Sequence, residues 1–495
     1  MPRSRELIAA TLDPGSWVSW DEPAGELPDD PDYRDELLRA RARTGLDESV
    51  LSGEGTVRGR RVAVITCEFE FLAGSIGVTA GERLVSAVER ATARRLPLLA
   101  APASAGTRMQ EGTVAFLQMV KVAAAISDHK AAGLPYLVYL RHPTMGGVLA
   151  SWGSLGHLTA AEPGALIGFL GPRVHQALYG EAFPEGVQVA ENLLAHGLVD
   201  AVLPVERLHD TVADALDVLC APVPPTGPGP RHPGEPAEPG TPAGPAPPAE
   251  ESIRRSRRED RPRLRALLRT AARVVLPLSG TGAGERDPAF LLALARFGDV
   301  RCVVLGHDKG RLGPAGLREA RRGMRLAAEL DLPLVSVIDT GGAALSRESE
   351  EGGLAGEIAR CLAELVTLPA PTLCLLLGEG AGGAALALAP ADRVVAARHA
   401  WLSPLPPEGA SAILYRTTDR AAEVARRQGV RSADLLARRI VDRVVEEHPD
   451  AADQPDAFLA RLGGVLEAEL AALRRADPAE RMAARRARYR SLGRS

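Results

Sequence analysis

Short apolar runs of four to six residues, opened by proline and closed by small residues, recur along the chain. Leu96-Pro97-Leu98-Leu99 begins one that ends in Ser104-Ala105-Gly106, and Pro135 opens Tyr136 to Leu140, which ends in Met145-Gly146-Gly147. The same order returns later. Leu332-Pro333-Leu334-Val335 leads to Thr340-Gly341-Gly342, and Pro371 opens Thr372 to Leu376, which ends in Ala381-Gly382-Gly383. Runs of this length between turn residues read as strands. The landmarks pair at a constant offset of 236, namely 97 with 333, 106 with 342, 135 with 371 and 146 with 382. Four landmarks at one offset argue for an internal duplication. Between the strands of the first copy, Val114, Leu117, Val120, Lys121 and Ala124 fall at helical spacing. Each copy therefore reads strand, glycine turn, helix, twice over, which predicts a layered α/β fold with a largely parallel sheet. Tyr33 to Arg43, ahead of the first copy, is polar with a helical pattern and is expected to be a packing extension.

Composition separates the two copies. From Pro222 to Pro248, 12 of 27 residues are proline and 5 are glycine. Such a stretch cannot bury enough apolar surface to order itself, so it reads as a linker. An arginine run follows (Arg254, Arg255, Arg257, Arg258, Arg261, Arg263, Arg265), read as the solvated start of a helix, with phosphate binding as the alternative. The expected organisation is an N-terminal helical extension over 1–50, one domain over 51–218, a linker over 219–262, a second domain over 263–475 and a basic tail over 476–495. Arginines of that tail, such as Arg481, Arg485 and Arg488, are expected to cover a helical surface.

Charge and cysteine usage narrow the function classes. With 59 basic and 63 acidic residues the net charge is −4, so no overall field favours nucleic acid or an anionic membrane. The five cysteines form no CxxC pair, so neither a paired-cysteine zinc site nor a disulfide scaffold is expected, and a reducing cytoplasm fits. The apolar stretch Leu7 to Leu12 is too short for a signal peptide, and Thr372 to Pro390, broken by Glu379, glycine and proline, reads as core rather than a membrane span.

The glycine turns carry the candidate chemistry. A glycine pair between a buried strand and a helix lets a ligand approach the backbone, where unpaired N–H groups and the positive dipole end are available. Two N–H groups aimed at one point make an oxyanion hole. Gly146-Gly147 and Gly382-Gly383 are such turns, and close helix–strand packing is the bland alternative for either alone. Gly378 to Gly383 also satisfies GxGxxG, but lacks the ribose-binding acid about twenty residues on that a dinucleotide site needs. The sequence has no GxxxxGK[ST], no HExxH and no complete GxSxG.

Four stretches of the first copy resemble the β subunit of bacterial acetyl-CoA carboxylase carboxyltransferase: SAGTRMQEG from Ser104, Asp128–Ser151, Ala161–Val174 and Phe183–Asp200. The second copy resembles its α subunit at Leu332–Ala343, Gly378–Val395, Pro406–Arg416 and Val424–Val445. The chain thus resembles a β–α fusion over roughly residues 33–215 and 265–470. The resemblance implies two tandem crotonase-like (ClpP/crotonase) domains and transfer of CO2 from carboxybiotin to acetyl-CoA or a related short acyl-CoA, giving malonyl-CoA. It implies that the N–H groups of Gly146 and Gly147 hold the enolate of the acyl-CoA thioester. Those of Gly383 and Ala384 would hold the ureido oxygen of biotin. Ala105, Gly106 and Arg108 would line the coenzyme A side, with Gly341, Gly342 and Gly382 completing the biotin side. No metal is implied. The biotin carboxyl carrier protein and biotin carboxylase would come from other chains, since Lys121 lies between valines rather than methionines and no ATP-binding segment is present. A homodimer or higher oligomer is implied. The sequence departs from the family pattern in several places. No four-cysteine zinc ribbon precedes the first domain, SGGAR becomes SAGTR, DTPGAYPG becomes DTGGAALS with Gly341, Ala344 and Leu345, and SPEG is stretched over Ser403 to Gly409. A decarboxylase of malonyl-type thioesters and a non-catalytic partner that binds coenzyme A or a carrier remain alternatives.

Overall fold

The computed structural model describes residues 3–25, 27–220, 246–308 and 310–492, so most of the proline-rich linker lies outside the described residues. The chain divides into two compact units, the first running to Cys220 and including Gly282–Gly284, the second formed by the remaining described residues.

In each unit an antiparallel hairpin precedes the parallel strands. In the first, Val50–Val57 pairs with Arg60–Cys67 across a two-residue turn at Arg58-Gly59, where both φ values are positive (46° and 74°). That turn twists in the sense a hairpin needs, which favours glycine at its second position. Leu98–Ala101, Tyr136–Leu140, Leu158–Ala161 and Ala201–Val202 then add in parallel, and Val18–Ser19 closes the other edge. The second unit repeats the plan. Val274–Leu278, Phe290–Phe297 and Val300–His307 are antiparallel, and Leu334–Thr340, Thr372–Ala381, Arg393–Ala397 and Arg443–Val445 follow in parallel. The sheets are thus parallel only beyond the hairpins. Every residue of Tyr136–Leu140 and of Leu334–Thr340 is buried, as a parallel strand covered on both faces requires.

The helix expected from Val114, Leu117 and Val120 spans Gly112–Ala131, but those three residues are 59, 53 and 65% exposed. Ala115, Met119, Val122 and Ile126 face the core instead. The helix is apolar on two sides, so its spacing marks a helix without saying which side is inside. The polar extension folds as the helix Pro31–Thr44, capped by Asp30 through the Tyr33 N–H (2.9 Å), with Tyr33, Leu37 and Ala40 buried.

Parts of the arginine runs differ from the solvated surfaces expected of them: Arg254, Arg257 and Arg265 are exposed, but Arg261, Arg481 and Arg485 are buried. After the helix Ala249–Ser256, Arg261 is buried in a bidentate pair with Glu447 (2.7 and 2.8 Å) and also donates to the Leu377 carbonyl. The basic tail forms the helix Pro478–Ser491. Its Arg485 is fully buried, donating to both oxygens of Asp392 at 2.7 Å and to the carbonyls of Leu365, Leu368 and Ala370. The acids that receive these arginines lie 93 to 186 residues away, so nothing local in the sequence marks them. No helix among the described residues is long and apolar enough to cross a membrane.

Candidate active site

The first glycine cradle is built from two backbone turns. Beyond Leu98–Ala101 the chain reaches Ser104, whose Oγ accepts the Gly106 N–H (3.0 Å) and so bends the backbone back on itself. Gly106 takes φ +111°, a conformation that favours glycine. Beyond Tyr136–Leu140, Met145 donates its N–H to the Ser104 carbonyl (2.8 Å), which ties the two turns together. A Cβ on Gly106 would lie 3.5 Å from the Gly147 nitrogen, and one on Gly146 would lie 3.5 Å from the Ala105 carbonyl oxygen. Ala105, Gly106, Gly146 and Gly147 therefore meet backbone to backbone. Gly146 (φ +60°) opens the short helix Gly146–Leu149, which has no side-chain cap, so its first N–H groups have no intrahelical acceptor.

The second cradle repeats this construction at the same offset. The Thr340 Oγ1 accepts the Gly342 N–H (3.1 Å), and Gly342 and Gly382 have φ +126° and +69°. The helix Gly382–Ala387 also lacks a side-chain cap, and its first turn carries the N–H groups of Gly383 and Ala384. The bridge Ile76–Thr107 has its counterpart in Leu312–Ala343, and the bond from Arg108 N–H to the Ile76 carbonyl (3.0 Å) has its counterpart from Ala344 to Leu312 (2.9 Å). The duplication thus extends to individual hydrogen bonds. Gly341 and Gly342 lie against the strand end, with the Gly342 Cβ position 3.9 Å from the Ala381 carbonyl.

The cradles differ in how they are braced. Arg108 is 1% exposed and turned inward. It forms a bidentate pair with the buried Glu48, donates to the Ser75 carbonyl (2.8 Å) and lies 5.8 Å from the Phe71 ring centre. Its side chain offers almost no surface to a ligand and instead ties Glu48 and Ser49 to Ser75, next to Ile76, whose N–H donates to the Gly106 carbonyl. In the second unit the equivalent position is Ala344, and the bracing acid is Asp339. Asp339 accepts the Glu379 N–H (3.1 Å), and a Cβ on Gly378 would be 2.3 Å from its carboxylate. Burial raises the Asp339 carboxyl to about 6. Glu48, Asp339 and Glu379 were not singled out from the sequence. Asp339 and Glu379 lie inside the motifs that mark the second copy, but Glu48 is 60 residues from its partner and carries no local signal.

Residues 3–202 match a family model described as carboxyl transferase domain, and residues 249–493 match one described as acetyl co-enzyme A carboxylase carboxyltransferase-like. The chain is 60% identical, over 99% of its length and 98% of the relative's, to a probable biotin-dependent acyl-coenzyme A carboxylase beta3 subunit of Mycobacterium bovis. It is 39% identical, over 99% of its length and 90% of the relative's, to the acetyl-coenzyme A carboxylase carboxyl transferase subunits beta/alpha of Salinispora arenicola. Among solved structures it resembles transcarboxylase 12S, described as a hexamer, with a TM-score of 0.73 at 21% identity over 94% of this chain and 89% of that one.

Proposed function

The chain belongs to the biotin-dependent acyl-CoA carboxyltransferases, with two tandem crotonase-like domains, and from that premise we propose that it carboxylates acetyl-CoA or a related short acyl-CoA, giving malonyl-CoA from acetyl-CoA.

The N–H groups of Gly146 and Gly147 would hold the thioester carbonyl oxygen and stabilise the negative charge that it gains as the α-carbon loses its proton. Ala105 and Gly106 shape the near wall, and Arg108 with Glu48 keeps that wall rigid. In the second unit, Gly383 and Ala384 offer neutral N–H donors and no side-chain cap, which suits an oxygen that becomes negative. Carboxybiotin, when bound, would supply CO2 and such a ureido oxygen, and the ureido nitrogen freed of CO2 would take the α-proton. Gly341, Gly342 and Gly382 leave room for a ring to approach the backbone. A carrier bearing carboxybiotin and the ATP-dependent carboxylase would be separate chains, and the protein would act as a homo-oligomer.

The observation that carries this reading is the repetition of one oxyanion-type turn in both units, down to the bonds of Ser104 and Thr340. Two reactants must each have an oxygen polarised, and the chain has two cradles to do it. The test is an assay of the purified protein with a carboxylated carrier and a panel of acetyl-, propionyl- and butyryl-CoA. Malonyl-CoA from acetyl-CoA is the expected product. A carboxylated product only from a longer ester would move the acyl assignment, and no product from any of the three would overturn the reading.

A further inference from the structure

Arg257 stands one residue past the helix Ala249–Ser256. Its Nε donates to Glu379 Oε2 at 2.7 Å, and its two Nη atoms donate to the two oxygens of Glu408 at 2.7 and 3.2 Å. Its guanidinium carbon lies 5.8 Å from the Trp401 ring centre. The two acids come from two different walls of the second cradle. Glu379 lies on the strand that ends in Gly380 and Ala381, and its carboxylate oxygens are 3.9 Å from the Cβ position of Gly341. Glu408 lies in the first turn of the helix Pro407–Tyr415, and just before that helix the Pro404 carbonyl oxygen is 3.6 Å from the Cβ position of Gly382.

We propose that Arg257 is a positioning residue for the second glycine cradle. By bridging Glu379 and Glu408 it fixes the strand end against the following helix, and it offsets carboxylate charge beside the Gly383 and Ala384 N–H groups. The proposal rests on reading that cradle as the biotin side. Without the guanidinium, two carboxylates would face one another next to a site meant for a developing anion, and like charges in a partly buried site repel. Among the described residues, the first unit has no such clamp at its own cradle. Where the 236 offset holds, 379 − 236 = 143 is Pro143 and 408 − 236 = 172 is Pro172, so neither acid has a counterpart. Arg257 therefore acts on one half-site only, and its loss should divide the two substrates.

The experiment uses full-length Arg257→Gln and Arg257→Lys with the carboxylated carrier and whichever acyl-CoA the wild type accepts. Arg257→Gln should lower kcat/KM for the carrier by at least about 10-fold, the scale of a small misplacement at a reacting centre, while the calorimetric Kd for acyl-CoA stays within about twofold. Arg257→Lys, which keeps the charge but cannot bridge both acids, should recover part of the loss. Melting within about 3 °C of wild type checks that both variants fold. An Arg257→Gln enzyme with wild-type carrier kinetics overturns the proposal alone, and so does an equal loss for both substrates. A wild type that carboxylates nothing overturns the biotin-side reading first, and the proposal with it.

Discussion

Gly146 and Gly147 are neighbours, yet a side chain would affect them differently. Gly146 has φ +60°, so any L residue there is strained, typically by about 1 kcal/mol. Gly147 has no such constraint. A Cβ on it would meet the Thr107 Oγ1 at 3.3 Å and the Met119 Cγ at 3.4 Å, so bulk there presses on the residues beside the cradle rather than twisting the backbone. Gly147→Val should therefore reduce kcat by about 100-fold or more, the effect of losing one oxyanion donor, while melting stays within a few degrees of wild type. Steady-state kinetics beside differential scanning fluorimetry checks this. Full activity in Gly147→Val would remove the first cradle from the mechanism. Both glycine pairs were legible in the sequence because a turn at a strand end has a local signature. Arg108 was legible as part of a motif, but its direction was not, because a bidentate partner 60 residues away leaves no trace along the chain.

At the scale of elements, the parallel strands and the helices after each cradle followed from apolar runs and their 236-residue repeat. What stayed hidden was which side of the helix Gly112–Ala131 faces inward, and that the arginine-rich segments are clamps. The first failed because Val114, Leu117 and Val120 are as apolar as the residues that are buried. The second failed because Arg261 and Arg485 take acids and carbonyls from strands far away in sequence. The helix Pro478–Ser491 is anchored by this means. Arg481 and Arg485 share Asp392, which also accepts from the Thr372 N–H, so the helix is held to the start of the strand that leads to the second cradle. Replacing Arg485 by methionine leaves Asp392 with a weaker partner set and takes one donor from each of three carbonyls, of which Ala370 keeps Arg481 and Leu365 keeps the Leu368 N–H. Breaking one partner of a buried pair costs about 3 kcal/mol or more. Chemical denaturation of Arg485→Met should show that loss, whereas the exposed Arg347→Met should be within about 0.5 kcal/mol of wild type. Equal stabilities for the two variants would mean that the buried Arg485 pair is no anchor for the C-terminal helix.

For the whole molecule, the repeat makes a statement about surfaces as well as cores. Met109 and Leu345 are 80 and 79% exposed, Phe169 and Leu405 are 69 and 40%, and Leu178 and Leu414 are 69 and 59%. Each pair is separated by 236 residues (109 to 345, 169 to 405, 178 to 414). Four of them adjoin the cradles: Met109 follows Arg108, Leu345 follows Ala344, the Phe169 carbonyl oxygen is 3.9 Å from the Cβ position of Gly146, and Leu405 follows Pro404, whose carbonyl oxygen is 3.6 Å from that of Gly382. Apolar surface repeated beside both candidate sites is more than the scattered exposure of an ordinary surface, and it is what an interface between copies requires. Covering it would also shed water from the cradles, where their N–H donors act most strongly. The double variant Leu178→Asp with Leu414→Asp places a charge on both surfaces and leaves the cradle backbone alone. Light scattering at micromolar concentration should find the wild type as an oligomer and the variant as a smaller species, with carboxyl transfer falling in step with the dissociated fraction. A variant of unchanged mass and undiminished activity would mean that these surfaces stay in water and that each copy works without another.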